Sequence, residues 1–531
     1  MTIDKGDQLD ARLALLTLDS KQYNSEYSTT NDGTGEPHVM HERTLKTRLL
    51  SSQEQDILVL KDFLSMRIKE GGGETLFELG IEDDGTPMKL TKNDYDRCLQ
   101  TILRVANELG VDCACINKTS RSDTYSGHLM FRIIPTSVED MLEIRVAVMG
   151  NVDAGKSTTI GVLTQDVLDD GRGKARMGLF RHLHERESGR TSSVGGEIIG
   201  FDSKSCMVPH PGNSGRKGWD EICSKASKII SFVDLAGHEK YLKTTVFGIT
   251  GNSPDFVLLL IGGNAGVIGM AKEHLGLALS LGIPLFIVIT KIDRTPPNVL
   301  ADTIKNLRTI LKSKACQKLP LLVKTTDDVV NSVVSNVTGE GLPLLRTYLN
   351  ALPSVNKYNT NGAFHFEIND IFSVPFVGTV VSGCLKMGTI HVGDKVLYGP
   401  DYFGQFTTTT IKSIQRKRIS VPTARAGQSV TFALKNVRRK MVRKGMVLVA
   451  CDKDVPPPKV SRRFEAEIRI LYHSTTIKKK YQAMVHCGSV RQTAQITHFE
   501  QKVLRTGDRA TVQFEFIKHP EYLPEGAKLI R

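Results

Sequence analysis

Two glycines, a lysine and two hydroxyls fall within one short run, Gly150-Asn151-Val152-Asp153-Ala154-Gly155-Lys156-Ser157-Thr158, and these are the groups that a chain of phosphates requires. Consecutive backbone N–H groups must converge on anionic oxygens, and Gly150 and Gly155 stand where a Cβ would block the backbone's turn and approach. Lys156 adds a point charge for the β- and γ-phosphates, and Ser157 a hydroxyl for Mg²⁺. A helix starting there contributes its positive end. Further along, Asp234-Leu235-Ala236-Gly237-His238 offers a carboxylate suited to Mg²⁺ through a water and a Gly237 N–H suited to a γ-phosphate. His238 follows directly, where an imidazole can hold an attacking water. Thr191, closing Glu185-Arg186-Glu187-Ser188-Gly189-Arg190-Thr191, has a hydroxyl that can reach Mg²⁺ when the γ-phosphate is present. Thr290-Lys291-Ile292-Asp293 addresses the base: the Asp293 carboxylate can accept both N1–H and N2–H₂ of guanine, a donor pair that adenine lacks, while the Lys291 stem covers the ring. Ser335-Asn336-Val337 is a turn whose backbone can meet guanine O6. Together these residues imply GTP rather than ATP.

The elements that must hold these groups can be read from the apolar runs. Ile144 to Met149 is a buried strand leading into the phosphate loop, followed by strands at Glu197 to Phe201, Ile229 to Val233, Phe256 to Ile261 and Leu285 to Ile289, with helical stretches between them. That alternation is the pattern of a doubly wound parallel sheet, in which ligands gather at the C-terminal strand ends. The charged segment from Gln165 to Val194 lies between the first helix and the second strand. After Asn361 the pattern changes to short strands with glycine turns: Phe364 to Ile368, Gly378 to Cys384, Lys395 to Tyr398, Thr408 to Ile414, Ser429 to Leu434 and Met446 to Ala450. These make a small β-barrel. Pro456-Pro457-Pro458 is a stiff boundary, and a second barrel begins near Arg463 with strands at Glu465 to Leu471, Gln482 to His486 and Ala510 to Phe516.

At the other end, Gln22 to Pro37 is rich in Ser, Thr, Asn and Gly, and most of residues 1–54 is expected to be mobile. Leu76 to Ile81 reads as a strand, Asp83-Asp84-Gly85 as a turn and Thr91 as a helix N-cap, with Tyr95, Leu99, Ile102, Leu103, Ala106 and Leu109 at helical spacing. Val111 to Ile116 and His128 to Ile134 follow as strands. This small α+β module carries no catalytic constellation; it serves interaction or regulation, or caps the next domain.

Composition bounds the answer from outside. A chain of 531 residues, 40% apolar and 24% charged, is a soluble multidomain protein. It has no apolar run of the roughly 20 residues a membrane span needs, and no apolar signal core, so the cytoplasm is expected. Nine cysteines without a CxxC pair fit a reduced compartment, and Cys113 and Cys115 read as packing rather than ligands. The net charge of +13 is C-terminal: residues 361–531 hold 28 Lys and Arg against 13 Asp and Glu, leaving the first 360 residues at about −2. Arg416-Lys417-Arg418, Arg438-Arg439-Lys440, Arg443-Lys444 and Lys478-Lys479-Lys480 are each either a solvated face or part of a polyanion surface.

With its phosphate loop, Asp234-Leu235-Ala236-Gly237-His238, Thr290-Lys291-Ile292-Asp293 and the domain that follows, the chain resembles the translational GTPases. Within them it is most similar to the GTP-binding protein 1/2 subfamily related to elongation factor 1-alpha, from about Thr75 to the C-terminus. The resemblance implies that Val152 flanks His238 in a hydrophobic gate and that Asp153 supports the phosphate and metal site. Val374-Pro375-Phe376-Val377-Gly378-Thr379-Val380-Val381-Ser382-Gly383 resembles the second domain of the elongation factors, which contacts the switch region and the tRNA acceptor end. Thr290 departs from the Asn of many relatives, whose amide ties this loop to the phosphate loop, so weaker nucleotide binding is expected. Relatives continue past the Gly526 region with a further strand, so the last barrel is expected to lack one. The architecture expected is a mostly flexible segment at 1–54, the α+β module at 55–138, an α/β P-loop GTPase domain on a parallel sheet at 141–355, and two small β-barrels at 361–455 and 460–531. Its implied work is binding and hydrolysis of GTP to GDP with Mg²⁺, coupled to aminoacyl-tRNA and the ribosome, with no membrane or DNA partner. The alternatives are a GTP-dependent adaptor of RNA-decay machinery and a GTPase of the sulfate-activation type.

Overall fold

The computed structural model describes residues 44–121, 123–180, 182–210, 218–313, 316, 332–333, 335–354, 358–451, 458–470 and 475–530. The chain divides into two compact units, residues 1–134 with 203–205, and the remainder. In the first, helices α1 (Leu45–Leu50), α2 (Glu54–Glu70) and α3 (Lys92–Leu109) pack with strands β1 (Glu74–Leu79), β2 (Val111–Arg121) and β3 (Thr124–Ile133), which form an antiparallel sheet in the order β1-β3-β2. Thr91 caps α3 by accepting from the Asp94 N–H, as its sequence position implies. The segment expected to be mobile turns out to include α1: the Thr44 side chain caps it, and Leu45 and Leu49 are buried against the core of the unit. Residues 1–43, which carry the rest of that expectation, lie outside the described residues.

The second unit begins with a six-stranded sheet in the order β5-β6-β4-β7-β8-β9. Its strands are β4 (Leu142–Gly150), β5 (Gly195–Phe201), β6 (Lys228–Asp234), β7 (Phe256–Gly262), β8 (Leu285–Thr290) and β9 (Ser332–Val333). Four of these, β4, β6, β7 and β8, are mostly apolar and buried on both faces, as a sheet covered by helices requires. The sheet is mixed rather than wholly parallel, because β5 pairs antiparallel with β6 along the edge. The helices are α4 (Lys156–Gln165), α5 (Lys174–Met177), α6 (Leu183–Ser188), α7 (Trp219–Lys225), α8 (Leu242–Asn252), α9 (Met270–Leu281), α10 (Pro297–Lys312) and α11 (Leu342–Ala351). Among the described residues, no helix is long and apolar enough to cross a membrane.

The barrel that follows is built from β10 (His365–Val374), β11 (Gly378–Met387), β12 (Thr389–His391), β13 (Lys395–Gly399), β14 (Thr407–Arg416), β15 (Ile419–Val421), β16 (Thr423–Arg425), β17 (Ser429–Leu434) and β18 (Val447–Ala450). The order β13-β18-β10-β11-β17-β14 closes on itself through pairing of β13 with β14, with Phe366, Phe432 and Ile414 inside. Beyond it, β19 (Arg463–Arg469), β20 (Gln482–Cys487), β21 (Val490–His498) and β22 (Arg509–Phe516) form an antiparallel sheet in the order β19-β22-β21-β20. Where a second barrel was expected, the described residues show this four-stranded sheet, with Ile530 bridging to His486 on its β20 edge. Pro456 and Pro457 of the expected boundary lie outside the described residues.

A buried charge network joins the base of β4 to the barrel. Arg416, at 1% exposure, donates to the carbonyls of Val138 and Met141 at 2.7 and 2.8 Å, and Lys417 lies 2.8 Å from the Glu143 carboxylate. Burial would raise the Glu143 carboxyl, but Lys417 and Arg416 hold it down to about 2. Arg443 similarly pairs with Glu521 at 2.8 Å, and Lys444 with Asp370 at 2.9 Å. Of the four basic runs, Arg438-Arg439-Lys440 and Lys478-Lys479-Lys480 are exposed throughout, whereas the other two are engaged in structure.

Candidate functional site

The phosphate loop leaves β4 at Gly150, whose φ of +145° and position 2.2 Å from the Leu260 carbonyl, measured from an added Cβ, exclude any side chain. His274, fully buried on α9, accepts the Gly150 N–H on Nδ1 at 3.0 Å. Burial, reinforced by Lys156, pushes this imidazole down to about 3, so it stays neutral and able to accept. Nothing local in the sequence marks His274, because its partner is 124 residues away.

Lys156 is buried at the start of α4 and donates to the carbonyls of Gly150 at 3.1 Å and Asn151 at 2.7 Å. Burial drives its ammonium down to about 8, against Asp234 and Asp153. A Cβ on Gly237 would fall 2.1 Å from Lys156 Nζ, so the Asp234-to-His238 turn closes directly over the lysine. Leu235 and Ala236 are the buried links of that turn: the Leu235 N–H donates to the Val148 carbonyl, and the Ala236 carbonyl accepts from Thr245. Val152 is half-buried, and Asp153 is exposed with a φ of +59°.

Three oxygen-bearing side chains meet beside the lysine. Ser157 Oγ donates to Asp234 Oδ2 at 2.6 Å and lies 2.8 Å from Thr191 Oγ1, which is itself 3.5 Å from the same carboxylate oxygen. Asp234 is 6% exposed, and its Oδ1 has no hydrogen-bond partner among the described residues. Burial lifts the carboxyl to about 6. An orphaned, desolvated carboxylate oxygen next to two hydroxyls is a hard-oxygen donor set that fits Mg²⁺. Glu185, 1% exposed and overlooked in the sequence, fixes Thr191 from behind: Oε1 accepts the N–H and hydroxyl of both Ser192 and Ser193 at 2.8 to 3.0 Å.

His238 is partly exposed and turned toward its own following turn. Its Nδ1 accepts the Lys240 N–H at 3.1 Å and its ring packs edge-on to Tyr241. Accepting that bond leaves the ring proton of the neutral imidazole on Nε2, the nitrogen not held by the turn.

The base-side groups also converge. Thr290 Oγ1 donates to the Ala154 carbonyl at 2.8 Å, so a hydroxyl makes the tie to the phosphate loop that the sequence reading assigned to an Asn amide. Lys291 adopts a φ of +60°, turning the chain into the short helical turn Ile292–Arg294 that carries Asp293. Ser335 Oγ donates to Asp293 Oδ1 at 2.8 Å, and its hydroxyl also receives the N–H of Val337 and Thr338. Asn336 Nδ2 donates to Thr159 on α4 at 2.9 Å, and the Asn336 carbonyl accepts the Asp169 N–H. The Val337 side chain is 37% exposed.

Comparisons with known proteins place this site in a class. The elongation factor Tu GTP-binding domain model matches residues 142–357, and the elongation factor Tu domain 2 model matches 378–449. The chain is a P-loop enzyme of the translational GTPase superfamily, which binds and hydrolyses GTP. Within that superfamily it belongs to the GTP-binding protein 1/2 family. It is 48% identical over 503 residues to GTP-binding protein 1 of Xenopus laevis, covering 92% of this chain and 76% of that one. To GTP-binding protein 2 of Homo sapiens it is 41% identical over 511 residues, covering 91% and 84%. Elongation factor 1-alpha of Hyperthermus butylicus is more distant, 25% identical over 427 residues, with 71% and 88% covered. The fold is shared with a bacterial selenocysteine-specific elongation factor (TM-score 0.54, 23% identity, 73% of this chain and 56% of that one). It is also shared with the Ski7 GTPase-like domain of S. cerevisiae bound to GTP (TM-score 0.55, 15% identity, 73% and 92%).

Proposed function

We propose that the chain is a GTP switch acting on RNA in translation: with GTP and Mg²⁺ bound it takes up aminoacyl-tRNA or engages a ribosome, and hydrolysis to GDP ends that state. The observation that carries this reading is the meeting of Ser157, Thr191 and Asp234 around one orphaned carboxylate oxygen. Thr191 arrives there on the loop between α6 and β5, so a Mg²⁺ held by Ser157, Thr191 and Asp234 would keep that loop in place when the γ-phosphate is bound. The ion supplies charge compensation on the phosphate oxygens. Lys156 leaves the Gly150 and Asn151 carbonyls for the phosphates, and the N–H groups of Asn151 to Thr158 and of Gly237 take the remaining oxygens. His238, whose Nε2–H is not held by the following turn, orients the attacking water by donating to it, and Val152 is the apolar neighbour that keeps bulk water away. Asp293, Lys291, Ile292 and the turn Ser335-Asn336-Val337 hold guanine.

The RNA part of the reading rests on the exposed Lys478-Lys479-Lys480 and Arg438-Arg439-Lys440 and on the β10–β11 hairpin, where Phe376 is fully exposed between Val374 and Val377. Exposed aromatic side chains and exposed cations are the groups that hold single-stranded RNA. A cytoplasmic setting follows from the partners.

GTP turnover with and without ribosomes, together with filter binding of aminoacyl-tRNA in GDP and in a non-hydrolysable GTP analogue, tests this. Stimulated turnover and a GTP-state preference are expected. Equal tRNA affinity in both states removes the carrier role; GTP binding without turnover leaves an adaptor of RNA-decay machinery, and turnover indifferent to RNA leaves the sulfate-activation type.

A further inference from the structure

The segment between α4 and α5 touches none of the groups assigned to phosphate or metal, yet it is among the most tightly folded parts of the site. Asp169 is 7% exposed, and its carboxylate accepts three backbone N–H bonds, from Gly171 and Gly173 on Oδ2 at 3.0 Å and from Ala175 on Oδ1 at 2.9 Å. Its own N–H donates to the Asn336 carbonyl at 2.9 Å. On one side the segment presses on α4, where a Cβ added to Gly161 would fall 2.1 Å from the Ala175 carbonyl. On the other it covers the guanine turn: Leu168 lies 3.3 Å from a Cβ placed on Gly339, and Val337 borders Gly171. At its start, Asp166 is held by Arg346 of α11 at 2.5 Å.

These contacts form one chain of bonds. Asp169 shapes the segment, the segment holds Asn336, Asn336 reaches Thr159, and the adjoining Ser335 holds Asp293. A turn that must open for guanine to leave is thereby fastened to the helix that carries the phosphate loop.

Resting on the GTP reading above, we propose that residues 166–175 are a built-in clamp on the nucleotide, and that Asp169 is a positioning residue which sets how long guanine nucleotides stay bound. The clamp meets the base turn and not the γ-phosphate, so it acts equally on GDP and GTP. It acts on dissociation, because its bonds are broken only when the turn opens.

The test uses the full chain and fluorescent GDP and GTPγS in stopped flow. Asp169→Ala is expected to raise dissociation of both nucleotides by at least about tenfold, since hydrogen bonds to a charged group are each worth that much or more. Association, the Mg²⁺ concentration needed and single-turnover hydrolysis stay at parent values. Asp169→Asn, which keeps one acceptor oxygen, falls between Ala and parent. In hydrogen exchange, nucleotide-bound parent protects residues 166–175 together with 335–341, and Asp169→Ala loses both protections at once. A merely structural role would lower the melting temperature and leave the ratio of dissociation to association constants in place. Arg346→Ala removes a surface anchor and carries the test if the Asp169 variants do not fold, with a rise of about twofold or more expected at an exposed pair. Parent-like dissociation in Arg346→Ala and Asp169→Ala, or an effect confined to GTPγS, overturns the clamp. Failure of the parent itself to bind guanine nucleotides overturns the GTP reading instead.

Discussion

Lys156 and Asp234 are both driven by burial toward their neutral forms, the lysine down to about 8 and the aspartate up to about 6. Each therefore binds its ligand with a linked change of protonation. Mg²⁺ needs the Asp234 carboxylate ionised, so its affinity should fall by about tenfold per pH unit below about 6 and level off above it. A Mg²⁺ titration of nucleotide release from pH 5 to 8 checks this, and Asp234→Asn should flatten the curve; a parent curve equally flat removes Asp234 from the metal site. Lys156 has the opposite sign. Phosphates favour its charged form, so binding of GTP between about pH 8 and 9 should take up protons, read by calorimetry in buffers of different ionisation enthalpy. His238 is distinct from both, since it touches no ground-state phosphate. His238→Ala should leave GTP affinity nearly intact while slowing stimulated hydrolysis by about 100-fold, and unchanged turnover would end the water-orienting role.

At the scale of elements, what matters is which segment is held by what. Glu185 on α6 fastens Ser192 and Ser193, and so Thr191, through one carboxylate oxygen. Glu185→Ala should therefore raise the Mg²⁺ concentration needed for GTP-state stability and expose residues 186–193 to protease in the GTP form, with GDP affinity close to parent. Equal proteolysis in parent and variant would show that the latch does not exist. The division between what the sequence shows and what it hides follows from the same geometry. Gly150 to Thr158, Asp234 to His238 and Thr290 to Asp293 are legible because contiguous residues at a strand end do the work together. His274 is not, because its partner is 124 residues away; Asp169 and Glu185 are not, because their carboxylates bond to backbone and hydroxyl groups a few residues further on, and no residue type marks which loop will fold back onto them. Thr290 shows the converse: residue type alone gives no amide to tie this loop to the phosphate loop, yet its hydroxyl reaches the Ala154 carbonyl. The antiparallel β5 was hidden for a third reason, since an apolar edge strand reads the same in either direction.

For the molecule as a whole, composition located the charge but not its use. Arg416 and Arg443 are absorbed into buried or half-buried ion pairs that join parts of the second unit, with Glu143 and Glu521 as partners. Removing Arg416 should cost about 1–3 kcal/mol, because the buried Val138 and Met141 carbonyls lose their donor while Glu143 keeps Lys417; a denaturation midpoint unchanged in Arg416→Ala would contradict the seam. The cations left for a polyanion are then the exposed ones, chiefly Lys478-Lys479-Lys480 and Arg438-Arg439-Lys440. Each phosphate they neutralise releases a counterion, so RNA affinity should fall along a log–log line of slope about −4 or steeper if six or more phosphates are held. Replacing all three of Lys478, Lys479 and Lys480 by Glu should weaken every RNA sequence alike, make that slope shallower and leave intrinsic GTP hydrolysis unchanged, since the segment lies outside the nucleotide site. The same substitutions at Arg416-Lys417-Arg418 should instead unfold the seam and lower stability before any RNA effect is seen. Filter binding across a salt series, with melting curves for both triple variants, separates the two cases. A slope near zero in the parent would mean that the exposed lysines are a solvated face and that the protein's partner is not RNA.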